Sequence, residues 1–157
     1  MMLSSKRALI IYPCMPPLRA GDLFISLSFG GRIRLADQSD LRLFSKGSKI
    51  FEANSAAARV WILNWGKAHL RFPNAFGDGA GPRLAFPGEV FGLTETLAQM
   101  PYGATLIAES VCAFSSIHHN ELTELLRNEP MFRRKLLGVL SENYINAYNK
   151  LVRRTHM

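Results

Sequence analysis

Residues 41–72 read LRLFSKGSKIFEANSAAARVWILNWGKAHLRF. Leu41-Arg42-Leu43-Phe44, Lys49-Ile50-Phe51, Val60-Trp61-Ile62-Leu63 and Lys67 to Phe72 are short apolar or alternating runs, each bounded by Gly, Pro, Asn or Asp. Runs of this length cannot make helices, and alternation sends successive side chains to opposite faces of a strand. Asn64-Trp65-Gly66 reads as a tight hairpin turn in which glycine takes a positive φ. The same texture continues through Leu84-Ala85-Phe86, Thr105 to Ala108 and Val111 to Phe114. Seven or so brief strands argue for a mainly β sandwich, roll or barrel.

Both flanks differ from this centre. Residues 1–20 form an irregular lead-in, because Pro13, Pro16 and Pro17 break helix and central strand alike. The same prolines cut short the apolar run Ala8 to Tyr12 before it reaches signal-peptide length. Residues 22–38, with a Gly30-Gly31 break, read as turn and short helix. Asn74 to Pro82 reads as a glycine-rich loop, and Asp78-Gly79-Ala80-Gly81 as a hairpin tip.

Toward the C-terminus, Asn120 is the expected N-cap of a short helix with Glu121 and Glu124 near its start. Asn128-Glu129-Pro130 interrupts, and a second helix runs from about Met131 to Arg153, roughly 30 Å or more at 1.5 Å per residue. Phe132, Leu136, Val139, Leu140, Tyr144, Ala147 and Leu151 recur along it at intervals of three or four. Met131, Leu137, Ile145, Tyr148 and Val152 fill flanking rows, so the apolar surface exceeds the single stripe a surface helix needs. Such coverage implies two contacts: the helix's own β domain, and the same helix of a second copy in a homodimer, with Phe132, Leu136, Val139, Leu140, Tyr144, Ala147 and Leu151 expected as the dimer helix.

Of the net charge of +7, five units fall from Pro130 onward, where six cations face only Glu142. The basicity belongs to the final helix and reads as a solvated face rather than a nucleic-acid groove. Cys14 and Cys112 lie far apart and form no CxxC pair, which gives no support to a zinc site of the usual four-ligand kind and fits a reducing, cytoplasmic setting. No apolar run approaches the roughly 20 residues that cross a bilayer, so no membrane role is expected.

Four segments resemble a known family. Leu43 to Phe51 is similar to the lysine–glycine turn that opens the cyclic-nucleotide-binding β-roll. Pro87-Gly88-Glu89-Val90-Phe91-Gly92-Leu93 resembles that family's PGD-x-FG segment, and Ala104 to Ala108 its strand leaving the phosphate-binding cassette. Ile117 to Pro130 resembles the short helix and proline that precede the long dimerisation helix. The resemblance, to effector domains of the cyclic-AMP receptor/FNR regulators, spans residues 41–153. It implies a jelly-roll-like double-stranded β-roll with a short helix and a long C-terminal helix. The expected organisation is a lead-in at 1–20, the roll at 21–129, and the dimerisation helix and tail at 130–157.

The resemblance places the candidate cassette at Gly92, Leu93, Thr94, Glu95, Tyr102, Gly103 and Ala104. In the family, backbone N–H groups and an arginine hold the cyclic phosphate, and a glutamate binds the ribose. Here Leu93 stands in the glutamate's place and Tyr102 or Gly103 in the arginine's. No arginine or lysine lies between Arg83 and Arg127, and Glu95 adds repulsion, so the usual binding of cyclic AMP is not expected. An FNR-type iron–sulfur cluster needs four cysteines, and nothing fixes His69, His118 or His119 as a haem ligand; the cofactor stays unknown. The family's helix-turn-helix segment is missing before Met157, so this chain alone is not expected to bind DNA. It is either a stand-alone module or part of a longer regulator.

His118 and His119 point about 100° apart on a helix and cannot share a metal. No His-x-His, Gly-x-Ser-x-Gly or P-loop ending appears, so no catalytic or metal residue is named and a cupin-type enzyme ranks last. The first expectation is a non-enzymatic effector-sensing regulatory domain with an altered cassette, linked to transcription regulation. Its rival is a structural dimerisation module whose pocket binds nothing.

Overall fold

The computed structural model describes residues 18–73 and 81–141. Expectations for the lead-in before Leu18, Cys14, the loop tip at 78–80, and Tyr144, Ala147 and Leu151 lie outside the described residues. The chain forms β1 (Leu18–Arg19), α1 (Ala20–Phe24), α2 (Phe29–Gln38), β2 (Asp40–Phe44), β3 (Lys49–Phe51), β4 (Arg59–Trp65) and β5 (Ala68–Arg71). It continues through β6 (Arg83–Leu84), β7 (Glu89–Phe91), α3 (Leu93–Ala98), β8 (Thr105–Ala108), β9 (Cys112–His118) and α4 (His119–Asn128). Residues 130–141 are helical to the last described position and are called α5.

The strands pair antiparallel in two sheets, ordered β1-β7-β4-β9-β2 and β3-β8-β5-β6. This is the expected β-roll. Within β4 the run Val60 to Leu63 is apolar throughout because it meets a core on each face. Trp61 and Leu63 point into the roll beside Phe51, Leu70, Leu106 and Phe114. Val60 and Ile62 point outward into a second core with Leu23, Leu122, Leu125, Phe132 and Leu136. A strand buried on both faces must be apolar at every residue, whereas a one-sided strand alternates.

Three local expectations change. The Asn64-Trp65-Gly66 turn is not a hairpin, because β4 and β5 belong to different sheets and the chain crosses the roll there. Gly66 keeps its positive φ of 103°, and a Cβ on it would sit 2.5 Å from the Val111 carbonyl oxygen. Gly66→Ala is therefore expected to cost about 1–3 kcal/mol from backbone conformation alone, read as a lower urea midpoint. The N-cap of α4 is His118, not Asn120: His118 Nδ1 accepts the Asn120 N–H at 3.1 Å. Glu121 answers by accepting the His118 N–H at 2.9 Å, a reciprocal cap in which imidazole replaces the usual hydroxyl. Finally, the strand read over Val111 to Phe114 runs over Cys112–His118, so it takes in Ile117, where the short helix segment was expected to open.

The break before α5 is tied to the N-terminal helices. Glu129 accepts the Ser28 N–H at 2.8 Å and the Ser28 hydroxyl at 3.0 Å. Ser28 caps α2 by accepting the Gly31 N–H, so the Glu129 carboxylate also stands at the positive end of that helix. The Ser28 backbone N–H, then its hydroxyl, holds the Glu129 carboxyl below its ordinary value of 4.5. A lowered folded-state value means the latch contributes fully above the ordinary value and is lost as pH falls through the folded one. In melting curves taken from neutral pH downward, the advantage of wild type over Glu129→Ala should shrink below about pH 4.5. A gap constant with pH would count against the latch.

Candidate functional site

The candidate cassette is built where β7 leaves the five-stranded sheet. Gly92 has φ 77°, which turns the chain sharply into α3. A Cβ there would lie 2.7 Å from Cε1 of Tyr102, so glycine is required by conformation and by the ring packed over it. The helix lasts six residues and stops at Gln99, itself left-handed at φ 54°, whose N–H turns back toward Glu95 and Thr96 carbonyls. Pro101 bridges Ala56, Tyr102 N–H donates to Ser55 O, and Asn54 N–H donates to Tyr102 O. The loop is thereby fastened at both ends before β8 begins.

The predicted site residues come together, but they face different ways. Leu93 is buried among the outer-core residues Val60, Leu122 and Leu125, on the helix side of the sheet. Thr94 is exposed. Ala104 and Tyr102 line the roll interior. The Tyr102 ring stacks on Phe51, with centroids 4.0 Å apart and planes 16° from parallel. Its hydroxyl donates to Arg59 O at 2.6 Å, an acceptor shared with the Thr96 hydroxyl at 3.0 Å. Burial pushes the Tyr102 phenol above its ordinary value. Glu95 is only 6% exposed, and its carboxylate accepts the Gly103 N–H at 3.3 Å. The sequence pattern did not single out Phe51, Arg59 or Thr96 as part of this site. Only the family resemblance of the Gly92 to Ala104 stretch signalled where it lies.

Other candidates have separate local partners. His118 caps α4, and His119 Nε2 lies 3.4 Å from Gln99 Nε2. His69 Nδ1 lies 2.9 Å from Glu109 Oε1, a close approach rather than an aligned hydrogen bond. Among the described residues no three His, Cys, Asp or Glu side chains converge as a metal site would require. Cys112 is buried, as its apolar strand implies. A groove of about 450 Å³ lies on the outer face of the five-stranded sheet, among Phe24, Leu35, Ile62, Ser115 and Ile117. No cassette residue lines it.

On α5, Phe132 and Leu136 are buried within the chain itself, Phe132 stacking on Phe24 at 5.6 Å. Leu140 packs partly against the same core. Met131 is 63% and Leu137 61% exposed. Among the described residues no helix is long and apolar enough to cross a membrane.

Two antiparallel sheets rolled around one core, interrupted by a short helix and loop and backed by C-terminal helices, define a β-roll domain. The profile of the cyclic nucleotide-binding domain matches residues 41–129, and the chain belongs to that family. No curated protein matches it. Among solved structures it is similar to the Thermus thermophilus catabolite activator protein, at 21% identity and a TM-score of 0.72, covering 85% of this chain and 63% of that one. The sensor domain of the transcriptional regulator DNR from Pseudomonas aeruginosa is 20% identical with a TM-score of 0.66, over 77% of this chain and 86% of that one. The N-terminal domain of a Streptomyces coelicolor A3(2) transcriptional regulator gives 18% and 0.66, over 85% and 92%. At these identities the likeness is one of fold. The chain spans about 63% of the length of the Thermus protein.

Proposed function

We propose that this chain is an effector-type regulatory domain of the cyclic-AMP receptor/FNR kind, linked to transcription regulation, whose cassette does not hold a cyclic nucleotide by the usual charge pairing. The proposed role is regulatory rather than catalytic. The observation that carries this reading is a cassette with its turn, helix and loop in place, Tyr102 or Gly103 where the arginine would stand, and the buried Glu95 carboxylate beside Gly103. A phosphate moved from water into such surroundings loses hydration and gains no opposite charge. Thermal unfolding with cyclic AMP and cyclic GMP tests it. A site occupied at a hundredfold excess over its dissociation constant adds about 2.7 kcal/mol. No stabilisation is expected from either nucleotide, and a saturable upward shift would refute the reading.

Output would pass through paired C-terminal helices of two copies, with Phe132 and Leu136 serving the intrachain contact and Met131, Val139 and Leu137 facing the partner. The exposure of Met131 and Leu137 supports this. Leu137→Glu should lower the sedimentation mass toward one chain while leaving the fold intact; an unchanged dimer would refute that surface. The rival reading, a protein–protein module that takes no ligand, is favoured by one observation: the Tyr102 ring lies directly over Gly92. Residence in the cytoplasm belongs to the same proposal and rests on the reading of the cysteines.

A further inference from the structure

We propose that Glu95 and Tyr102 are internal occupants of the cassette: the carboxylate takes the Gly103 N–H that an incoming anion would use, and the ring fills the space over Gly92. This rests on the regulatory reading above and adds how the site is kept closed without any effector.

The two residues supply complementary chemistry. A carboxylate so well buried is costly unless something donates to it, and the Gly103 backbone does so. Any anion reaching that donor must displace Glu95 or lie beside its negative charge. The ring is held independently, by Phe51 on one face and by Arg59 O at the hydroxyl. Gly92 leaves no room beneath it. The backbone carrying the ring is anchored through both its N–H and its carbonyl, to Ser55 and Asn54. A planar group taking the ring's place would have to undo the Phe51 stack and the buried hydroxyl bond together, while the backbone bonds keep the loop that carries the ring in place. Input to this domain therefore does not enter through the cassette in its present form.

Hydrogen exchange of the Gly103 amide tests the proposal on the unaltered chain. Its exchange should be slowed well below the rate of a free loop amide. In Glu95→Ala it should speed up by about tenfold or more, as loss of a hydrogen bond to a charged group implies. Amides of the neighbouring strand Thr105–Ala108 should be unchanged, which separates local release from unfolding. Inorganic phosphate titrated into Glu95→Ala should then move the Gly103 resonance, and should not do so in wild type. Free exchange of Gly103 in wild type would overturn internal occupancy, whether or not the variant folds. If wild type takes no cyclic nucleotide yet Gly103 exchanges freely, only this inference fails. If wild type binds cyclic AMP, the functional reading fails with it.

Discussion

Phe132→Ala is expected to lower the unfolding free energy by about 3–5 kcal/mol, the largest effect of any single truncation at the junction of roll and helix. Phe132 is fully buried and stacks nearly parallel on Phe24, 14° between planes, while Leu23, Leu125 and Leu136 close around it. Removing the ring leaves a cavity between three elements from distant parts of the chain. The surrounding helices are anchored by the Ser28–Glu129 latch and cannot fully collapse into the gap. Urea unfolding monitored by circular dichroism would read the loss as a lower midpoint with little change in slope. Met131→Ala is the control: at 63% exposure its neighbour should cost far less. Equal effects would mean that the helix packs on the roll through another face.

Arg83→Ala is expected to cost about 3 kcal/mol, for a different physical reason. Glu89 is 1% exposed, and its carboxylate accepts from the Arg83 guanidinium and, at 3.1 Å, from the Phe86 N–H. Taking away the arginine strands a buried carboxylate with one backbone donor, and stranding one half of a buried pair costs about 3–5 kcal/mol. The lower figure applies because Arg83 is 28% exposed and water can partly replace it. Glu89→Gln should be milder than Arg83→Ala, since it retains the Phe86 acceptor and buries no charge. The reverse order would show that the pair holds the roll through packing rather than charge. Glu89 opens β7, which leads directly into the cassette, so the loss should also loosen Gly92.

Much of the roll was legible because its strands are short and bounded by turn residues. Thr105–Ala108 matches the sequence reading residue for residue. Val60 to Leu63 was legible as a strand, but its burial on both faces shows only in the fold. What could not be read locally was sheet membership. Gly66 has the conformation expected of it, yet it joins strands from opposite sheets. Glu89–Phe91 escaped notice because a carboxylate beside proline and glycine looks solvent-facing, and only the fold supplies Arg83 to bury it. His118 as a cap was equally hidden, since histidine is not among the usual N-cap residues.

The cassette's expected place, and the arginine it lacks, came from the family resemblance of the Gly92 to Ala104 stretch rather than from any local pattern. The direction in which Tyr102 points was not legible. A tyrosine in that loop could face solvent or the roll interior, and the choice rests on Phe51, some fifty residues earlier, and on the carbonyl of Arg59. The apolar rows of the last helix pointed to two contacts, and the row that includes Phe132 and Leu136 was read as the dimer helix. Phe132 and Leu136 serve the chain's own core, while Met131 and Leu137 are exposed.

Membership of a family described by cyclic nucleotide binding, and a cassette closed by its own side chains, make opposing forecasts for one experiment. Equilibrium dialysis of labelled cyclic AMP against the full chain decides between them. A cassette filled from within should retain no more label than buffer at any nucleotide concentration. Saturable retention of one nucleotide per chain would contradict the account at its centre.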